Sequence, residues 1–406
     1  MTHGLHVSDC PGGVTAAQGF VAGGLYCGIR KAKKDLAIIR SAVPAAVAGV
    51  FTLNKTQAAP VLVDKIQLKR SGTCAAVVVN SGNANACTGE RGLNDAWVMV
   101  KDAASALKVP EEQIMISSTG VIGQYMPMEK ISSGIAALAG TLSQEGGSDA
   151  AEAIMTTDTV RKEAAVRFSL GSVMVTIGGM AKGSGMIAPN MATMLGFITT
   201  DALISRRLLQ KALVKANNRS FNRITVDGDM STNDMVLVLA NGAAANEQFT
   251  ESSEEFHLFC AALEYVLVKL AKMIAKDGEG ATKLIEIFVK GGRTEEEAAQ
   301  AARAVANSNL VKTAIHGCDA NWGRIMAAVG YSGVDFNPDE VEILFNDLPI
   351  LNKQYEIVLD EVKAKQILSG DSIVITVDLN QGNQSARYWT CDLTKEYVHI
   401  NASYRS

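Results

Sequence analysis

The stretch Lys182-Gly183-Ser184-Gly185-Met186-Ile187-Ala188-Pro189-Asn190-Met191-Ala192-Thr193-Met194-Leu195 constrains this chain more than any other. A glycine-rich loop leads to the small residue Ala192, and Thr193 then heads an apolar run through Met194, Leu195, Phe197 and Ile198. A threonine so placed can attack the carbonyl of its own preceding residue and break the backbone between Ala192 and Thr193. Residues 1–192 and 193–406 can then share one core, because the backbone is cut only after folding. A freed Thr193 carries both halves of a catalyst. Its hydroxyl is the nucleophile, and its α-amine, with a reference pKa of about 7.7–8.0, is a base near neutral pH. From the residues alone a plainer alternative stays open, a loop feeding an ordinary buried strand.

The 406 residues exceed one typical core, so two domains or one large layered domain is expected. Hydrophobic residues make up 48% and charged residues 20%, the balance of a globular chain rather than a disordered one. The formal net charge is -4 with no block of like charges, which gives no footing for nucleic acid or an anionic membrane as partner. The seven cysteines are scattered without a CxxC pair, so neither a zinc site nor a disulfide framework is expected. Met1 to Cys10 lacks the basic and apolar regions of a signal peptide, and no apolar run reaches the ~18 residues of a membrane span. The expected setting is the cytoplasm.

Strand and helix patterns alternate, as in an α/β or α+β layered protein. Residues 46–52, 75–80, 113–117 and 173–177 read as short buried strands. Residues 93–109 read as a helix with Leu93, Ala96, Trp97, Val100, Ala104 and Leu107 on one face and Pro110 as its stop. Residues 206–217 and 254–275 are further amphipathic helices. Residues 372–379 and 385–393 flank Asn380-Gln381-Gly382-Asn383, which predicts a hairpin.

Several small-residue motifs each allow two readings. Ser117–Gly123 offers a backbone N–H beside Gly120 to an oxyanion, or is a strand-to-helix turn. Asn80–Ala86 positions backbone dipoles, or is a tight turn. Asp227–Asp234 resembles a calcium loop but has Thr232 where glycine is needed and Val238 where a glutamate is needed. The expectation there is no metal, and an Asx-rich turn capping a following helix. The glycine-rich stretch Gly178–Gly185 lacks the spacing of a phosphate loop and is followed by a strand where a helix is needed, and no GxGxxG pattern is present, which argues against a nucleotide site. Glu279, between Gly278 and Gly280, either lies in a solvated turn or faces a cationic group. His316 and His399 are left out of the chemistry.

Taken in order along the chain, these segments closely resemble the ornithine acetyltransferase family, also called glutamate N-acetyltransferase. The likeness rests on Gly49–Thr52 with Ala59–Val61, Asn80–Ala86, Ser117–Gly123, Thr156–Thr159, Gly178–Leu195, Thr225–Asp234, Glu279–Lys283, Asp319–Ile325 and Tyr397–Ser406. Two departures stand out: Ala320 where proline is usual, and Ser406 where threonine is usual at the end.

The resemblance implies an αββα-type layered fold related to self-processing aminopeptidases. It implies self-cleavage between Ala192 and Thr193, leaving an alpha fragment 1–192 and a beta fragment 193–406, and a heterotetramer of two copies of each. The family's nucleophile falls on Thr193 and its oxyanion pair on Thr119 and Gly120. Its substrate-binding positions fall on Thr156, Lys182, Thr193, Glu279, Asn401 and Ser406. The implied reaction moves an acetyl group from N2-acetylornithine to glutamate without a cofactor, and some members also take it from acetyl-CoA. The rival readings are a self-cleaving aminopeptidase or amidase with water as acceptor, and a non-catalytic binding protein of the same fold.

Overall fold

The longest strand organises the first half of the fold. The structure is a computed structural model that describes residues 6–188 and 194–403. Ala192, Thr193 and Ser406 therefore lie outside the described residues. The chain divides into two units, the first drawn from Met1–Gly183, Pro189–Asn222 and Asp229–Leu270, the second from Ser184–Ala188, Arg223–Gly228 and Ala271–Ser406.

In the first unit the strands are β1 (Ser8–Asp9), β2 (Phe20–Leu25), β3 (Leu36–Phe51), β4 (Thr73–Asn83), β5 (Ile114–Val121), β6 (Lys162–Leu170), β7 (Val173–Lys182), β8 (Leu195–Thr200) and β9 (Met235–Ala240). They hydrogen-bond in the order β1-β6-β7-β8-β9-β3-β4-β5, with β2 also on β3. The register of β3 against β4 shifts between Arg40 and Ala45, and the later half of β3 pairs with β9. A bulge of this kind bends a strand. It lets β4 and β5 fold over β7, β8 and β9 while one ladder stays continuous.

Side-chain alternation along β4 then separates two cores. Val77 and Val79 pack with Met180, Phe197 and Leu237 between the two halves of the sheet. Ala76 and Val78 face the other way, onto Ala96, Met99 and Val100 of the helix Gly89–Leu107 and Ile131 and Ile135 of the helix Met128–Ala139. On the opposite outer face, Gln210 of the helix Arg206–Asn218 exchanges two 3.1 Å hydrogen bonds with the Gly49 backbone. The result is helix, sheet, sheet, helix, the αββα-type layering expected. Removing a ring such as Phe197, wholly buried between the sheet halves, costs about 3–5 kcal/mol.

The second unit holds β10 (Leu284–Gly292), β11 (Glu342–Phe345), β12 (Leu348–Leu351), β13 (Ser372–Asp378) and β14 (Gln384–Cys391), in the order β12-β11-β13-β10-β14. The hairpin expected around residues 380–383 is not formed. Strand β10 lies between β13 and β14, parallel to the first and antiparallel to the second. The connecting residues spend their N–H groups on β10 instead of on each other: Leu379 donates to the Lys290 carbonyl (2.9 Å) and Gln381 to that of Gly291 (2.7 Å).

Two further expectations change. No helix follows Asp227–Asp234; the turn leads into β9, whose residues are all buried. Gly178 and Gly179 belong to β7, which runs on to Lys182. Their missing side chains let the Gly13 carbonyl and the side chains of Ile198 and Leu270 close on the strand, since an added Cβ would come within 1.9 Å of the first and 2.5 Å and 3.2 Å of the others.

Candidate active site

In the first unit, β4 and β5 run parallel with Ser81 opposite Thr119 and Gly82 opposite Gly120. Gly120 has φ of 134°, and a Cβ there would lie 2.3 Å from the Gly82 carbonyl carbon. Only glycine fits that approach, so the strand ends with its backbone bare at this point. Both edges of the end are fixed by side chains. The Ser118 hydroxyl donates to Asn80 Oδ1 (2.6 Å), and Asn80 Nδ2 donates to the Asn83 carbonyl (2.9 Å). Asn233 Nδ2 donates to the carbonyls of Ala84 (2.6 Å) and Ser118 (2.8 Å). The Asn80–Ala86 motif is thus the clamp on the Thr119–Gly120 strand.

The outer edge of β5 is covered from the helix Ala59–Arg70. Asp64 Oδ1 accepts the Ile116 N–H (2.9 Å), and Gln67 Nε2 donates to the Ile114 carbonyl (3.1 Å). Burial drives the Asp64 carboxyl well above the usual carboxylate range, against the pull of the Ile116 N–H. Sequence reasoning missed both residues, because a polar pair on a helix face reads as solvated.

Thr156 and Lys182 meet through a third residue. Asp158, buried, accepts the Thr156 N–H at Oδ2 (2.9 Å) and the Gly183 N–H at Oδ1 (2.7 Å). The same Oδ1 accepts Lys162 Nζ at 2.7 Å, in an ion pair whose two side chains are fully buried. Burial alone would raise the Asp158 pKa, yet the ammonium groups of Lys182 and Lys162 and the Gly183 N–H hold it well below the usual carboxylate range. Lys182 ends β7, opposite Leu195 of β8. From the other side Arg30 donates to the carbonyls of Met155 (2.8 Å) and Thr156 (3.1 Å).

Asp234, also buried, has a carboxyl pushed well up by burial, with Ser231 and Lys182 pulling it back.

In the second unit Glu279 is buried rather than solvated. Asn401 Nδ2 donates to its Oε2 at 2.7 Å, and its own N–H donates to the Ser184 carbonyl at 3.0 Å. Gly185 lies against the carboxylate so closely that a Cβ would stand 2.3 Å from it. Asp227 in turn accepts the N–H groups of Met186 (2.6 Å) and Ile187 (2.9 Å), holding the 184–188 segment to the unit. The structure therefore gathers Thr119 with Gly120, Thr156 with Lys182, and Glu279 with Asn401. Ala192, Thr193 and Ser406 fall outside the described residues.

The sequence profile of the ArgJ family matches residues 21–406. The chain belongs to the ArgJ family. It is 54% identical over 398 residues to the arginine biosynthesis bifunctional protein ArgJ of Symbiobacterium thermophilum, covering 97% of this chain and 99% of that protein. To the ArgJ protein of Bacillus subtilis it is 50% identical over 395 residues, 97% of each chain. Among solved structures, the ArgJ crystal structure from Bacillus halodurans matches with a TM-score of 0.51 and 48% identity, covering 52% of this chain and 100% of that one. As an ArgJ-family member the chain is an acetyltransferase of arginine biosynthesis, acting on small molecules. Among the described residues no helix is long and apolar enough to cross a membrane.

Proposed function

We propose that the protein transfers the acetyl group of N2-acetylornithine to glutamate through an ester on Thr193, after cutting itself between Ala192 and Thr193. One set of contacts carries the reading. The Met235 N–H donates to the carbonyl of Met194 (3.1 Å), the residue after Thr193, while Asn233, two residues before Met235, donates to Ser118, the residue before Thr119. The neighbours of the nucleophile and of the oxyanion pair are thus tied through three consecutive positions.

In maturation, Thr193 Oγ attacks the Ala192 carbonyl carbon, the C–N bond breaks as the ester forms and frees the Thr193 amine, and water then hydrolyses the ester to leave the Ala192 carboxylate and the Thr193 hydroxyl. Strands on both sides of the cut are neighbours in one ladder, β7 with β8, which supports two fragments, 1–192 and 193–406, sharing a single fold. The B. halodurans chain, matched in full by 52% of this one, supports the same division.

In turnover the freed amine takes the hydroxyl proton and Oγ attacks the acetyl carbonyl. The oxyanion is met by the Gly120 N–H and by the Thr119 hydroxyl or N–H. Each such donor is worth ~3–4 kcal/mol of barrier. The C–N bond breaks, the proton passes to the leaving amine of ornithine, and the α-amine of glutamate then takes the acetyl group from the ester. This is a ping-pong cycle through a covalent intermediate.

Lys182 and Thr156 hold the α-carboxylate that both substrates share. Glu279, with Asn401 and the Ser406 end, receives the ornithine ammonium. The relatives' description as bifunctional favours a second donor, acetyl-CoA. The working form in this reading is a cytoplasmic heterotetramer.

Intact mass under denaturing conditions tests the reading, alongside Thr193→Ala. The expected result is two fragments dividing at Ala192/Thr193 in the wild type and one uncut, inactive chain in the variant. An active, uncut wild type would remove Thr193 from the mechanism. Release of acetate without need of glutamate would favour the amidase alternative.

A further inference from the structure

Asp158 was not among the expected site residues, yet three separate donors converge on it. The Thr156 N–H, the Gly183 N–H and Lys162 Nζ all lie within 2.9 Å of its two oxygens. Thr156 belongs to the loop after the helix Gly147–Ala153, and Gly183 to the loop that leaves β7. No backbone hydrogen bond is needed to join these loops, because the carboxylate bridges them. Gly183 is the immediate neighbour of Lys182, so its N–H fixes where the strand releases the lysine. Arg30 holds the Met155 carbonyl, which leaves the Met155–Thr156 peptide unit anchored at both its C=O and its N–H, and it holds the Thr156 carbonyl as well.

We infer that Asp158 is the positioning residue of the substrate α-carboxylate site: by gripping the Thr156 and Gly183 amides with one buried side chain it sets the spacing between Thr156 and Lys182. This rests on the proposed reading that those two residues receive the α-carboxylate. Asp158 touches no substrate itself. Lys162 has the complementary part, since a buried carboxylate is retained only with a buried counter-charge and satisfied lone pairs. An asparagine could not replace it, because an amide offers one acceptor oxygen where two amide N–H groups on different oxygens must be met.

The role has a signature that mere support of the fold lacks. N2-acetylornithine and glutamate share the α-carboxylate and differ in the side chain, so loosening the Thr156–Lys182 spacing penalises both equally. Ornithine and 1,4-diaminobutane differ by that carboxylate alone, and their ratio of affinities reads the site without any acetyl transfer.

The experiment compares wild type with Asp158→Asn/Lys162→Met, which removes the buried pair together and leaves no lone charge in the core. Asp158→Glu is the second variant, retaining charge and both oxygens at a longer reach. Binding of ornithine and of 1,4-diaminobutane is measured by calorimetry, and KM and kcat are measured for both substrates. The expected result for the double variant is a tenfold or greater loss of ornithine affinity with 1,4-diaminobutane unchanged. KM should rise in parallel for N2-acetylornithine and glutamate, with kcat little altered and partial recovery in Asp158→Glu. Equal weakening of both diamines, or ornithine binding at wild-type strength, would overturn the inference. Acetyl transfer by the wild type, assayed in the same series, judges the underlying reading separately: a wild type that discriminates the two diamines but transfers no acetyl group keeps the inference and loses the reaction.

Discussion

The two units hold their site residues by different means. In the first, Thr119–Gly120 and Thr156–Lys182 sit at ends of paired strands or on a loop tied to one, and buried carboxyl groups and asparagine amides fix their backbones. In the second, Glu279 lies in the loop before β10 and is held by Asn401, which is solvent-exposed on the helix Lys395–Ala402. The contrast matches the proposed chemistry. In that reading acyl transfer and α-carboxylate binding are common to both half-reactions and need donors that do not move. The proposed task of Glu279, telling an ammonium from a carboxylate, needs one charge, and a hydrogen-bonded side chain can carry it.

The sharpest way to break this comparison is at the rigid end. Gly120→Ala places a Cβ against the Gly82 carbonyl carbon and strains a backbone at φ 134°. It should lower kcat by about 10²–10³-fold, as loss of an oxyanion donor does, with KM changed far less. Steady-state kinetics with both substrates checks it, and a drop confined to KM would mean that Gly120 is a binding residue. Next in size is Glu279→Gln, which keeps the Asn401 contact geometry and removes the charge. KM for N2-acetylornithine should rise about tenfold, the scale of one charged hydrogen bond, while KM for glutamate stays level or falls. Equal values for both substrates before and after would strip Glu279 of its role.

The smallest effect concerns stability. Asp64 has a folded pKa raised well above its unfolded value of about 3.9. Below that unfolded value both states hold the proton and the group costs nothing. As pH rises toward the folded pKa, the unfolded chain ionises and the folded one does not, so stability is progressively lost. Asp64→Asn keeps an acceptor for the Ile116 N–H and removes the titration. Its Tm relative to wild type should therefore climb as pH rises above about 4, and a constant offset throughout that rise would mean Asp64 does not titrate this way.

Much of this fold was legible because the signals were local. The helix Gly89–Leu107 shows its apolar face in the spacing of Ala96, Val100 and Leu107, and Lys108 in left-handed conformation ends it ahead of Pro110. The buried run of β4 is equally direct. The hairpin at 380–383 failed because β10, some ninety positions earlier, takes the place beside β13, and no turn signal reports a strand so remote. The strand read over residues 173–177 runs on through Gly178 and Gly179 to Lys182 for a related reason: glycine there makes room for a crossing backbone and for side chains from distant elements. In the candidate site, Thr119, Gly120, Lys182 and Glu279 were named through the family resemblance, since their motifs alone read as well as plain turns. Asp158 stood inside one of those motifs unremarked, since its partners Lys162 and Gly183 become neighbours only when β6 and β7 pair.

The pairing of Lys182 with Leu195 has one more consequence. A chain cut between those two positions loses nothing from the sheet, because both flanks stay bonded to strands that remain in place. Unfolded, however, the same two pieces are no longer one molecule. Refolding becomes an encounter between separate chains, so the melting point of the cut protein should rise with its concentration, whereas an uncut chain that folds alone would show no such dependence. The cut would thus make recovery from heat a matter of concentration, weakening with every dilution.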